Sequence, residues 1–107
     1  MTRKEALAEL IAKVEAGEPA KVETWFAALG VEYYLARDAA GGSLDAAKAL
    51  HEAVLPGAWA HVRYTGKYGH ATLDVKGEEY DANNADNPAR AWLLAILRAL
   101  HAEEAAE

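Results

Sequence analysis

Residues 58–82 constrain the fold more than any other stretch. Only there do apolar and polar residues alternate with a period of two: A-W-A-H-V-R-Y-T, then Y-G-H-A-T-L-D-V, then E-E-Y-D-A. The dipeptides Gly66-Lys67 and Lys76-Gly77 interrupt the alternation, and each glycine supplies the positive φ that a two-residue hairpin loop needs. Two-residue loops dictate the pairing. Thr65 then opposes Tyr68, Arg63 opposes His70, Val62 opposes Ala71, His61 opposes Thr72 and Ala60 opposes Leu73. Across the second turn Leu73 opposes Tyr80 and Ala71 opposes Ala82. One face of the expected three-stranded antiparallel meander carries Ala60, Val62, Tyr64, Ala71, Leu73, Val75, Tyr80 and Ala82. The other carries Trp59, His61, Arg63, Tyr68, His70, Thr72, Asp74, Glu79 and Asp81.

The remaining chain reads as helix. Leu7, Leu10, Ile11 and Val14 form an apolar stripe over residues 2–15, with Thr2 and Glu5 spaced as a capping box and Gly17 as the stop. Pro19 suits the first turn of a second helix, on which Val22, Trp25, Phe26 and Leu29 gather before Gly30. Residues 31–36 are dense in β-formers (Val31, Tyr33, Tyr34), consistent with a short strand or an ordered loop. Residues 38–42 read as the internal linker. Ser43 is an N-cap for a helix over 44–55 that presents Leu44, Ala47, Leu50 and Val54 to the sheet and stops at Pro56-Gly57. Asn87-Pro88 opens a last helix over 88–102, whose Trp92, Leu93, Ile96, Leu97 and Leu100 form a wide apolar face; His101 and the tail are expected to fray.

The expected class is therefore α+β: a meander of three strands, or four if 31–36 joins its edge. The helices over 44–55 and 88–102 cover one face. The N-terminal helices either cover the second, giving an α/β/α sandwich-like arrangement, or pack at its rim. A single domain is expected over 1–107, with a helical N-terminal extension at 1–37 and an α-β-β-β-α core at 43–102.

Composition narrows the function classes. Apolar residues make up 52% of the chain, but 26 of them are alanine, which points to closely packed helices. With no cysteine there is no disulfide framework, thiol nucleophile or cysteine-ligated metal, as suits a reducing cytoplasm. No signal-peptide core or membrane span is expected, since Glu5 and Glu9 interrupt the first apolar run. The net charge of −6 argues against direct nucleic-acid binding. Against that acidic background, Arg63, Lys67 and Lys76 outnumber Asp74 around the first hairpin.

Two stretches, S-L-D-A-A-K-A-L-H-E-A-V-L-P-G-A-W at 43–59 and A-D-N-P-A-R-A-W-L-L-A-I-L-R-A-L at 85–100, resemble the phage ABA sandwich domain family. These are small accessory proteins of bacteriophages and prophages. In them a helix with a Leu-Pro-Gly stop leads into a tryptophan-bearing strand, further strands and an alanine-rich last helix. The shared motifs are a cap, a stop and packing residues, so the resemblance implies a fold and a phage setting and transfers no catalytic or ligand residue. Residues 1–37 and the hairpin at 67–76 depart from the pattern.

Small size, acidic charge, the absence of a catalytic motif and the phage setting implied by the resemblance together suit a phage-encoded, non-enzymatic protein in the host cytoplasm. It would bind and inhibit a bacterial protein such as a component of anti-phage immunity, as an anti-CRISPR or other anti-defence protein. Two alternatives stay open: a sponge for a nucleotide signal, and an assembly accessory acting by oligomerisation. No motif indicates a catalytic residue, metal ligand or cofactor; the aligned His61 and Asp81 lack a nucleophile. The contact residues expected from charge placement are Arg63, Lys67, Tyr68 and His70, which project around a basic turn with no core duty. Tyr33, Tyr34 and Arg37, ahead of a glycine pair, are the second choice.

Overall fold

The computed structural model describes residues 1–65, 68–85 and 87–106, the side chains of Asn84, Ala85 and Ala106 excepted. The meander forms in the expected register. β1 (Trp59–Tyr64), β2 (Tyr68–Val75) and β3 (Glu78–Ala85) lie in the order 1-2-3, all antiparallel. Arg63 pairs with His70, His61 with Thr72 and Ala60 with Leu73, while Leu73 pairs with Tyr80 and Ala71 with Ala82. Thr65 N–H donates to the Tyr68 carbonyl at 3.0 Å, though the Gly66-Lys67 turn itself lies outside the described residues. At the second turn Lys76 (φ 54°) and Gly77 (φ 87°) are both left-handed, as a type I′ loop demands. The Asp74 carboxylate accepts from Gly77 N–H at 3.0 Å and steadies that loop.

Helices α1 (Arg3–Ala16), α2 (Val22–Leu29), α3 (Tyr33–Ala40), α4 (Leu44–Val54) and α5 (Pro88–Ala106) complete the fold, with a 3₁₀ turn at Gly30–Glu32. Several ends are as the sequence indicates. Thr2 and Glu5 form the capping box on α1 and Gly17 (φ 72°) closes it. Ser43 Oγ caps α4, and Asn87 Oδ1 accepts from Arg90 N–H at the start of α5. In the box, Thr2 N–H and then its hydroxyl hold the Glu5 carboxyl below its ordinary pKa. A depressed folded-state pKa means that this cap is complete above the usual glutamate range and is lost as pH falls through the lowered value.

α5 is the pillar of the core. Leu93, Leu94, Ile96, Leu97 and Leu100 are buried on it together with Ala89, Ala91, Ala95 and Ala99. It lies on β2 and β3 on one side, and α1, α3 and α4 pack on it from the other. Burial of each large side chain contributes about 1.5–3 kcal/mol. The N-terminus of α5 passes directly over β2 at Gly69. A Cβ built there would lie 2.4 Å from Pro88 Cα and 2.6 Å from the Asn87 carbonyl carbon, inside any real contact.

Several expectations need correction. Residues 31–36 are helical and add no fourth strand: Ala36 and Ala39, three apart, are buried, and this packing overrides the β-propensity of Val31, Tyr33 and Tyr34. The linker reading of 38–42 fails for the same reason. α3 runs to Ala40, and Gly41-Gly42 is a tight turn held by Ser43 N–H on the Asp38 carbonyl. α4 packs on α3 and α5 instead of covering the sheet, and its buried residues are Ala46, Ala47, Leu50 and His51 while Leu44 is exposed. On α2, Trp25 and Leu29 are buried, but Val22 and Phe26 face out. Tyr64 lies on the helix side of the sheet yet is largely exposed at its margin. The C-terminal tail is helical through Ala106, where Glu104 pairs with Arg3 at 2.7 Å. Among the described residues, no helix covers the second sheet face, so the arrangement is an open α/β layer, because α1 and α3 are occupied on α5.

Gly69→Ala is expected to destabilise the fold by about 2–4 kcal/mol, since backbone must move to admit a methyl group. In thermal unfolding that is a fall of about 8 °C or more; an unchanged midpoint would show that α5 is not held against β2.

Candidate functional site

The alternation of the strands puts a polar row on the uncovered face, and pairing sets its order. Trp59, Asp74 and Glu79 occupy one end; His61, Thr72 and Asp81 the middle; Arg63, His70 and Asn83 the other end, with Tyr68 beyond. Trp59 is 79% exposed and Tyr68 59% exposed, unusual for aromatic side chains in a region with regular backbone pairing. Charge is polarised along the face: acids gather beside the second turn and the guanidinium beside the first.

Local bonds organise this surface. Arg63 Nη2 lies 3.3 Å from His70 Nδ1, which draws the two together across the strands. Thr72 Oγ1 donates to Asp81 Oδ1 at 2.7 Å, so the carboxylate in the middle row is already engaged. Among the described residues, no group of three or more His, Cys, Asp or Glu side chains is placed to hold a metal ion. The face is therefore suited to contact through aromatic surface and a few oriented polar groups.

Arg63, Tyr68 and His70 come together on this face as expected, and Lys67 lies outside the described residues. The second set separates. Tyr33 and Tyr34 sit at the start of α3, in a helix and not in an adaptable loop. Their rings meet edge-on at 6.5 Å, and Tyr33 meets Phe26 of α2 at 6.1 Å. Phe26, 55% exposed, extends this aromatic cluster. Arg37 instead lines a cleft of about 390 Å³ between the α1–α2 connection, the end of α3 and the start of α5, with Glu18, Trp25 and Arg90.

Two features of this region escaped sequence reasoning. Arg90 donates from Nε and Nη2 to the Ala40 carbonyl at 3.0 and 2.8 Å, fastening the end of α3 to α5. Its place one turn after an N-cap was visible, but its target fifty residues back was not. His51 is buried; Trp92 Nε1–H donates to its Nδ1 at 3.2 Å, which leaves Nε2–H to donate to the Ala58 carbonyl at 3.0 Å. That carbonyl precedes β1, so the histidine ties α4 and α5 to the start of the sheet. Its position four residues after Ala47 on the apolar stripe was the available signal.

No family model, curated protein or solved structure matches the chain. Among the described residues, no helix is long and apolar enough to cross a membrane.

Arg90→Ala is expected to cost about 1.5–3 kcal/mol, because the Ala40 carbonyl loses a charged, two-pronged donor. Arg37→Ala, an exposed change on the same cleft, should stay within about 0.5 kcal/mol of the parent. Denaturant unfolding of the two variants side by side checks both; equal midpoints would remove Arg90 as the clasp.

Proposed function

We propose that the protein is a non-enzymatic binding protein whose contact surface is the uncovered face of the sheet. The observation that carries this reading is Trp59, held on a paired strand yet 79% exposed, with Arg63, Tyr68 and His70 on the same face. Tryptophan, tyrosine and arginine dominate protein–protein hot spots, and strands present them with little further ordering cost. The sequence resemblance to phage accessory proteins makes a bacterial host protein, such as a component of anti-phage immunity, the favoured partner. The host cytoplasm is then the place of action. Asp74, Glu79 and Asp81 on the face disfavour a phosphate backbone as partner.

A second reading, a small anionic ligand, is favoured by the cleft. Arg37 and Arg90 line it together with the acidic Glu18 and with Trp25. This would move the nucleotide-sponge alternative away from the hairpin. Thermal shift with nucleotides tests it: a rise in midpoint that Arg37→Ala abolishes supports the cleft, and no rise disposes of it.

For the main reading, Trp59→Ala and a combined Arg63→Ala/Tyr68→Ala variant should each leave the unfolding midpoint within about 3 °C of the parent. Each should weaken capture of a bacterial partner by more than about tenfold, or about 1.4 kcal/mol. Partner binding indifferent to all three substitutions would exclude this face and direct attention to the Phe26–Tyr33–Tyr34 cluster.

A further inference from the structure

We propose that two copies of the chain pair antiparallel through their β1 edges, about a two-fold axis at His61, to form one continuous six-stranded sheet. This does not rest on the partner reading above, although Trp59 and Arg63 enter both.

The two edges of the sheet are treated differently. Thr65 N–H points at β2, so by alternation the N–H and C=O groups of His61 and Arg63 do too, while those of Ala60 and Val62 point outward. Among the described residues, nothing bonds those outward groups of Ala60 and Val62. At the β3 edge one outward carbonyl is already engaged. Arg98 of α5 reaches the Asp81 carbonyl through Nη1 and pairs with Glu15 of α1 through Nη2 at 3.1 Å. The β1 edge, W-A-H-V-R-Y, contains no proline or lysine and carries one fixed charge, Arg63.

Burial is also incomplete beside that edge. α5 is centred over β2 and β3 and reaches β1 only marginally. Ala71, Leu73 and Ala82 are fully covered, whereas Ala60 and Val62 on the same side of the sheet are half-buried. A second β1 alongside would extend the apolar layer and satisfy the outward backbone groups together.

The register follows from which groups are available. An odd shift opposes an outward-pointing residue with an inward-pointing one and makes no bonds. Upstream the pairing must stop at Ala58, whose N–H already donates to Leu55 and whose carbonyl is taken by His51. Placing Ala60 opposite Val62 of the second copy, and the reverse, makes four backbone hydrogen bonds. It sets His61 opposite His61, and Trp59 opposite Arg63 of the second copy on each side of the axis. An indole facing a guanidinium directly across strands is a cation–π pair, and Trp59 is exposed and available for it. A shift by two residues one way opposes Arg63 to His61 and loses both indole–guanidinium pairs. The same shift the other way calls on the occupied groups of Ala58.

The chain has no cysteine, so single cysteines report the register directly. In this pairing the His61 residues form a non-hydrogen-bonded pair with Cα atoms about 4.5 Å apart, within disulfide range. Under mild oxidation His61→Cys should form a disulfide dimer, while Thr65→Cys, about 26 Å from its mate, should stay monomeric. Sedimentation equilibrium of the unmodified chain should show two copies. Ala60→Pro removes only an outward N–H, so it should yield a folded monomer by circular dichroism. Should that variant not fold, Trp59→Ala, at an exposed site, decides instead by raising the dimer dissociation constant at least tenfold. The proposal is overturned by a parent chain that stays monomeric up to about 1 mM. Equal cross-linking at positions 61 and 65, a dimer that survives in folded Ala60→Pro, or unchanged dimerisation of Trp59→Ala each overturns it as well.

Discussion

The rest of the molecule depends on how closely α5 approaches β2 at Gly69. The backbone at Asn87-Pro88 occupies the space where any Cβ of residue 69 would sit, so the helix starts in contact with the strand. From there it runs over β2 and β3 with its alanines and leucines buried. A helix apolar on so many sides must be surrounded, and α1, α3 and α4 supply the cover that the sheet does not. Alanine is what makes the surround tight. Ala6, Ala28, Ala36, Ala39 and Ala47 are all buried on α1 to α4, so their backbones can come close.

That use of the N-terminal helices leaves the far side of the sheet in contact with solvent. The same alternation that aims Ala71 and Leu73 at α5 aims His70, Thr72 and Asp74 outward, and the outward set includes two aromatic rings with no internal role. The asymmetry of the edges has the same origin. α5 lies to the β3 side, where Arg98 reaches both the strand and α1, and so β1 is left with the least cover.

Much of the sheet was legible in the sequence. Glycine at each turn and a period of two determine which residue faces which, and the pairing of Arg63 with His70 and Thr72 with Asp81 is as expected. The ends of α1 and the starts of α4 and α5 read equally well, because Thr2, Gly17, Ser43 and Asn87 act on backbone groups within four residues, whereas Pro19, expected in the first turn of α2, lies ahead of that helix, which begins at Val22. Residues 31–42 did not. Local preference there favours extended structure and a flexible connection, and the burial of Ala36 and Ala39 against distant helices outweighs it. Part of the candidate contact set was likewise visible: Arg63, Tyr68 and His70 share a face because strand geometry is local. Arg37 was grouped with Tyr33 and Tyr34 by proximity in sequence, but it belongs to a cleft built from three separate parts of the chain.

The amino-acid sequence by itself determined the α+β class, the strand register, the caps and the composition of each sheet face, since all of these follow from interactions between near neighbours or from a fixed side-chain period. Only the tertiary structure decided that α4 packs on helices, that His51 and Arg90 serve as long-range clasps, that one sheet face stays open, and that β1 has less helix cover than β3. Those outcomes depend on which apolar surfaces compete most effectively for α5. That competition is settled by shape and by contacts up to a hundred residues apart, which no local pattern encodes.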